Sequence, residues 1–426
     1  MKKILYSVAL ILLTQWVNAQ VLVNNDLKNL ITQSFTYFPK VKETQNTVET
    51  AREKLDIARV NNPVIDGNAM YNFVEPKITL PIDGKEFQFA PVHNANINVS
   101  ASYTLLDFGR LKSNVEKAKT DLQFAQHNVE YVKSDLANQV AIIYYNIVFF
   151  KRAITIQDSV LNYLNENKKI VESKLKNGDA IKIDLLNIQA DIDAAQNRKI
   201  DFQNSLQRQQ NLLAYTTGQM QANGKAFDFD VNVKNVSDIF NEAQSNNIEY
   251  VLAKDKIKQA VNEVGIAKTG DKPSVNIGAN TGFKNGYVPY VNDMRFNYAA
   301  GVSLKLPIYD GGKTKRQVKL AETIVKQNEL SVETLNNNYR KDIEQALTDI
   351  QSNIDRIKNM DGQIEQVKVA QELATTRFKN DIGTNLEITN ASTNVQRAEL
   401  NKLQYEYQLC LAKVELAKLM GYKYWQ

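Results

Sequence analysis

From residue 110 to residue 176 the chain contains neither proline nor an interrupting glycine. Apolar side chains recur there at Leu111, Val115, Ala118, Leu122, Ala125, Val129, Val132, Leu136, Val140, Ile143, Ile147, Phe150 and Ile154. Steps of four and three alternate, the mark of a helix packed along a narrow seam. The one repeated four-residue step, at Leu136 to Val140, is a stutter that locally unwinds a supercoil. At 1.5 Å per residue such a helix is on the order of 100 Å long. No compact globular domain accommodates it, so it must run along a tube or a rod.

The chain repeats itself. Tyr103 to Arg110, containing Asp107 and Gly109, lines up with Leu306 to Lys313, containing Asp310, Gly311 and Gly312. The register then holds without a gap to Gly218 against Gly421, with Asp184 against Glu387 and Asn187 against Asn390 on the way. Each half reads helix, strand, loop, strand, very long helix, turn, long helix. In the second half the seam includes Val318, Ala321, Val325, Val332, Leu335, Ile343, Ala346, Ile350 and Ile357. Five parts are expected: a leader at 1–19, a first repeat at 20–218, a linker at 219–236 that wraps the middle of the tube, a second repeat at 237–421, and a tail at 422–426. The first repeat should hold strands at about 64–74 and 94–106 and helices at about 110–176 and 181–217. The second should hold strands at about 274–283 and 296–308 and helices at about 313–380 and 385–420.

The four strands alternate with period two. Ala95, Ile97, Val99, Ala101, Tyr103 and Leu105 face one way, and Asn96, Asn98, Ser100, Ser102 and Thr104 the other. Tyr298, Ala300, Val302, Leu304 and Leu306 form the matching stripe in the second half. Such strands suit a membrane β-barrel, apolar toward lipid and polar toward a lumen. A half-buried strand of a water-soluble sheet alternates in the same way. Four strands do not close a barrel, and an open edge in lipid leaves backbone groups unpaired at several kcal/mol each. Closure therefore requires sister chains. Two would supply about eight strands around a filled interior, and three about twelve around a passage.

Composition narrows the remaining classes. With 17 Gly and 8 Pro the chain is too poor in turn residues for an all-β sandwich. One cysteine, Cys410, excludes a disulfide framework, and a net charge of +5 is too small a bias to imply nucleic acid. Lys2 and Lys3, the apolar run Ile4 to Leu13, and Val17-Asn18-Ala19 read as an export signal with the mature chain starting at Gln20.

The motifs at the strand-to-helix junctions, Asp107-Phe108-Gly109-Arg110 and Tyr309-Asp310-Gly311-Gly312-Lys313, resemble those of the outer-membrane efflux protein family, the TolC-like channels. Phe378 to Thr384, followed by Glu387 to Ala391, carries the same resemblance, as does the earlier copy Asp184 to Asn187. The resemblance covers essentially the whole mature chain. It implies a mainly α fold with a membrane β-barrel: a homotrimer with a 12-stranded barrel in the outer membrane, set in its lipid and continued by a long periplasmic α-barrel. It further implies a passive exit duct that docks a periplasmic adaptor (membrane fusion) protein and works with an inner-membrane transporter of RND, ABC or MFS type. No cofactor and no enzymatic activity are implied. An exported coiled-coil scaffold without channel activity is the competing reading, and it has no use for four alternating strands.

Site residues follow from the resemblance position by position. Glu387 and Asn390 fall where family members carry acidic rings at a narrowed periplasmic mouth, with Asp184 and Asn187 at the matching places in the first repeat. A solvated charge on a helix face is the other reading of Glu387 and Asp184. The second acidic ring is Asn390 here. A tyrosine and an arginine that latch the family's best-known channel are Asn380 and Asn385, so a weaker or differently built latch is expected. The turns Asn177-Gly178-Asp179 and Asp381-Ile382-Gly383-Thr384 are expected to meet the adaptor, and the loops at 75–92 and 284–295 to face outside the cell. Asp107, Gly109, Asp310, Gly311 and Gly312 are expected to turn the chain from strand to helix. Gly312-Lys313-Thr314 is no phosphate loop, since Pro307 stands where the motif needs glycine. His93 and His127 lack a metal-ligand spacing. Tyr144, Tyr145, Phe149 and Phe150 read as helix packing.

Overall fold

A computed structural model describes residues 21–426; the leader expected at 1–19 lies outside the described residues. In chain order the elements are β1 (Val21–Leu22), α1 (Asn25–Tyr37), α2 (Pro39–Arg59), β2 (Val64–Phe73), β3 (Thr79–Ile82), β4 (Lys85–Gln88), β5 (His93–Leu106), α3 (Arg110–Asn177), α4 (Lys182–Thr217), β6 (Asp230–Val231), α5 (Val236–Asn246), α6 (Ile248–Ala267), β7 (Ser274–Lys284), β8 (Arg295–Lys305), α7 (Lys313–Lys379) and α8 (Asn385–Leu419). The duplication is visible in their starting points: α3 and α7 begin at 110 and 313, α4 and α8 at 182 and 385, the same interval each time. Small joints repeat too. Phe38 separates α1 from α2 and Asn247 separates α5 from α6, each closing the preceding helix with a backbone bond, to Ser34 and Ala243. No helix among the described residues is long and apolar enough to cross a membrane.

The residues gather into two compact units, and neither unit is one repeat. Among the described residues, one contains 47–125 and 253–331; the other contains 21–46, 126–252 and 332–426. Both halves of the sequence contribute to each.

In the first unit the four long strands form one antiparallel sheet, in the order β2-β5-β7-β8. The register sets Ile97 between Ala69 and Phe283, and Ala279 between Ala101 and Ala300, so the apolar stripes of all four strands share one face. That face is uncovered: Tyr71, Phe73, Ile97, Tyr298, Val302 and Leu304 are all more than half exposed. The opposite face is amide-rich. Asn68 donates to Asn98 Oδ1 and Ser100 Oγ, Asn98 donates to Asn96, and Thr104 donates to Asn276. Alternation fails at one place. Thr104 pairs with Asn276 and Leu106 with Val275, so Leu105 is an extra, bulged residue. The apolar stripe of β5 therefore continues through Leu106, where strict alternation assigns it to Leu105. Likewise β8 ends at Lys305 rather than near 308: Pro307 cannot donate to a ladder, and Ile308 and Tyr309 stand outside the sheet. Alongside the sheet, α6 is tied to α3 by Gln259 to Asp121 (2.8 Å) and by Asn262 to Thr120 (2.7 Å).

The second unit holds the main core. Seam residues Leu136, Val140, Ile147, Ile343, Ala346 and Ile350 are buried there. Around the stutter the buried stripe of α3 widens to take in Ala137, Ala141, Tyr144, Tyr145 and Val148, all fully buried. The cause is the segment between the repeats, which is laid across this part of the helix. The Tyr145 hydroxyl donates to Asp228, Lys151 donates to the Ala222 carbonyl, and Val231 pairs with Val21. Phe229 packs edge-on against Tyr145 and Tyr424, while Phe149 meets Tyr407 at 5.1 Å. The aromatic cluster of α3 is thus packing. Gly224 lies directly over Tyr144: a Cβ there would come within 2.4 Å of the phenolic oxygen. Since Tyr144 is fully enclosed, Gly224→Ala should destabilise this unit by about 1–3 kcal/mol. Thermal unfolding followed by circular dichroism checks it, and an unchanged melting temperature refutes it.

Candidate functional site

Two constructions recur once per repeat: the joint from strand to long helix, and the turn from long helix to the next helix. At the first joint Asp107 accepts from the Gly109 amide (3.0 Å) and the Leu111 amide (2.5 Å). At the second Asp310 accepts from the Gly312 amide (2.8 Å) and the Thr314 amide (2.7 Å). Each carboxylate thus satisfies donors that a helix start leaves free, and its charge suits the positive helix end. Two successive left-handed residues make the bend, Phe108 and Gly109 in one copy, Gly311 and Gly312 in the other. Glycine takes φ > 0 without cost, whereas Phe108, at φ 52°, does not. Hydrogen bonds from the Thr314 side chain and amide, then from the Gly312 amide, hold the Asp310 carboxyl below its ordinary value of 3.8.

At the helix turns, α3 ends with Gly178 left-handed, the Asp179 amide bonding back to Lys174 O and the Gly178 amide to Leu175 O. This is the Schellman arrangement. The end of α7 repeats it: Ile382 N bonds to Arg377 O and Asp381 N to Phe378 O. The left-handed residue here is Asp381, at φ 64°. The turn glycine of the second repeat is therefore not the counterpart of Gly178. Gly383 has an ordinary φ and is kept small by crowding, since a Cβ would sit 3.0 Å from Arg377 Cβ and Phe378 N.

One lysine joins the two turns. Lys174, with a side chain only 12% exposed, forms an ion pair with Asp381, donates to the Lys379 carbonyl (3.4 Å) and lies 5.3 Å from the Phe378 ring centre. It thereby holds the strained Asp381. Buried Asn385 donates to the Asp184 carbonyl (3.1 Å), joining the starts of α4 and α8. Beneath them Val171, Ile188, Phe378 and Ile388 form a small apolar core.

The expected gate residues lie on this frame. Glu387 is half-exposed in the first turn of α8; the Thr384 hydroxyl accepts from its amide, and its carboxylate meets Arg377 at 3.4 Å. Asp184 accepts from the Ile181 amide at the start of α4 (3.3 Å). Asn187 and Asn390 are exposed. The structure brings Asp184, Asn385 and Glu387 into one neighbourhood and gives Glu387 a cation of its own. No motif in the sequence marks Lys174 and Arg377, but the duplication does: they occupy the same place in the two repeats, separated by the interval that relates Asp184 to Glu387.

The profile of the outer membrane efflux protein family matches residues 38–219 and, separately, 239–422. The chain belongs to that family, and the two matches follow the duplication. Nodulation protein T of Rhizobium leguminosarum bv. trifolii is 23% identical over 397 residues, covering 88% of this chain and 83% of that protein. The pyoverdine export outer membrane protein OpmQ of Pseudomonas putida is 22% identical over 336 residues, covering 76% and 70%. Among solved structures, the outer membrane protein VceC of Vibrio cholerae shares the fold with a TM-score of 0.77 at 17% identity, over 93% of this chain and 96% of that one.

Two outcomes follow from these constructions. Lys174→Met should loosen the α7–α8 turn by on the order of 1 kcal/mol. Hydrogen exchange of the 379–384 amides should quicken about fivefold while those of α3 around Val171 hold; equal acceleration in both would refute the assignment. A carboxyl held below its ordinary value contributes stability that is complete above that value and lost as pH falls through its folded one. The start of α7 should therefore fray only below pH 3.8, read as exchange of residues 311–318. In Asp310→Asn that segment should lose the pH response.

Proposed function

We propose that the chain is a passive outer-membrane exit duct, built as a trimer and opening at its periplasmic end onto an adaptor and an inner-membrane pump. The observation that carries this reading is the four-stranded sheet, with one uncovered apolar face, one amide-lined face and two edge strands, β2 and β8. In lipid the apolar face is satisfied and the edges are not. Three copies make about twelve strands, enough to enclose a passage lined by the asparagine face. The adaptor contact is assigned to Asn177, Gly178 and Asp179 of the first turn and Asp381, Ile382, Gly383 and Thr384 of the second. Glu387 and Asn390 line the narrow mouth, with Asp184 and Asn187 as outer companions. Three copies of Glu387 would raise local cation occupancy. The family's cargo varies, as a relative named for pyoverdine export illustrates, and selection is assigned to the pump.

The test is purification in detergent followed by reconstitution in planar bilayers. The proposal expects a trimer that conducts ions; a monomer soluble without detergent and silent in bilayers overturns it. The gate assignment has its own signature, because Arg377 partly neutralises Glu387. Glu387→Gln should weaken divalent-cation block of single channels, and Arg377→Gln should strengthen it. Identical block in both variants removes Glu387 from the mouth.

A further inference from the structure

We infer that neighbouring copies of this chain join in a single strand register, fixed by an ion pair between Asp66 of β2 and Lys305 of β8 of the partner subunit. The inference rests on the trimeric reading above and adds to it the seam through which the barrel closes. β2 and β8 are the two edges of the sheet, so each presents an unpaired row of backbone groups. The amide face of the sheet bears few charges. Its single acid, Asp66, lies on one edge strand; Lys305 lies on the other, and neither has an ion pair among the described residues. Both stand toward the end of the sheet that adjoins the helices: Asp66 is the third residue of β2, and Lys305 is the last of β8.

Geometry limits the possible registers. Within one chain the residues level with one another across the sheet are Val64, Ser102, Gly278 and Gly301. Closing a barrel at a strand tilt of about 35–45° moves the register by about four to six residues for every four strands, from the strand rise and spacing. Movement in the opposite sense leaves β8 and β2 with almost no overlap. A slip by one residue turns every apolar side chain into the lumen. Only the two even advances in that range remain. The smaller sets Lys305 opposite Val64 and leaves Asp66 facing Ser303 of the partner subunit. The larger sets Lys305 opposite Asp66.

The larger advance also fits by shape. It places Leu304 opposite Gly67 and Gly301 opposite Met70, and at both glycines a Cβ would find nothing within 4 Å inside the chain. Ala300 then faces Tyr71, and Tyr298 faces Phe73, the paired residues being mutually small with large or aromatic with aromatic.

Directly opposed residues on antiparallel strands have Cα atoms about 4.5–5.5 Å apart, inside the range a disulfide spans, and residues two places out of register do not. The full chain carrying Asp66→Cys with Lys305→Cys, oxidised with copper–phenanthroline in membranes, should run mostly as covalent trimers on a non-reducing gel. Asp66→Cys with Ser303→Cys should stay mostly uncrosslinked. Cys410 is buried and should contribute no background. A charge exchange supplies the second measurement: Asp66→Lys and Lys305→Asp should each lower the temperature at which the detergent-solubilised trimer dissociates, and the double exchange should restore it. Preferential linking of 66 with 303, or absence of restoration by the exchange, overturns the register while the wild-type chain still forms conducting trimers. If the wild-type chain forms no trimer, the duct reading itself fails.

Discussion

The structure depends on one constraint, that a peptide group in hydrocarbon must find its hydrogen bond within protein. The interior strands β5 and β7 meet it completely, since each has a partner on both sides. The edge strands β2 and β8 meet it on one side only. Their apolar face, with Tyr298, Val302 and Leu304 laid open, would be an aggregation surface in water. In a bilayer the same face is matched to its solvent, and the demand moves to the edges. A helix of the same residues would satisfy itself, but would place Asn96, Asn98 and Ser100 in lipid on every turn. The alternation of these segments therefore suits a bilayer, and in one it would call for assembly with sister chains.

Duplication explains the economy of the remaining architecture. Each copy must leave a strand, turn sharply and enter a helix of more than sixty residues. An aspartate that accepts two amides ahead of the helix solves this in both copies. What differs is the residue that bears the left-handed bend: Phe108 with Gly109, against Gly311 with Gly312. The helix turns differ in the same manner, Gly178 against Asp381. At the helix turn that lacks glycine a side-chain contact stands in its place, since Lys174 pairs with Asp381. The backbone path has been retained more closely than the residues that make it easy.

Periodicity made most of this fold readable before any coordinates. The seam of α3 and the two-residue alternation of β5 are long patterns in which a single exception does little harm. Features set by one residue were not readable. Leu105 continues the odd-numbered apolar series, and only the pairing of Leu106 with Val275 reveals the bulge. Gly383 invites comparison with Gly178 because both are turn glycines, yet it is retained for lack of space and not for its φ. Lys174 is an ordinary polar residue in sequence, and Asn385 stands out there only as a departure from the family's latch. Their importance comes from contacts across about two hundred positions, to Asp381 and to the Asp184 carbonyl, which no local pattern encodes. The compact units cut across both repeats for the same reason: proximity follows the fold, not the order of duplication.

The charges around the helix turns bear on how a mouth built from them would behave. Two acids near the starts of α4 and α8, Asp184 and Glu387, sit at helix N-termini, where backbone amides already favour negative charge. A nearby cation acts on the field they project. Arg377 stands beside Glu387, and Lys174 beside Asp381, each cation coming from the last turn of a long helix. A long helix that shifted along its neighbour would carry its cation away from the acid it covers. Parting the two turns would break the pair that crosses between them, Lys174 with Asp381, and would leave Arg377 beside Glu387, because those two belong to the same turn. The negative field that such a parting exposes is that of Asp381, while Glu387 keeps its cation, so the two acids of this turn answer to different movements.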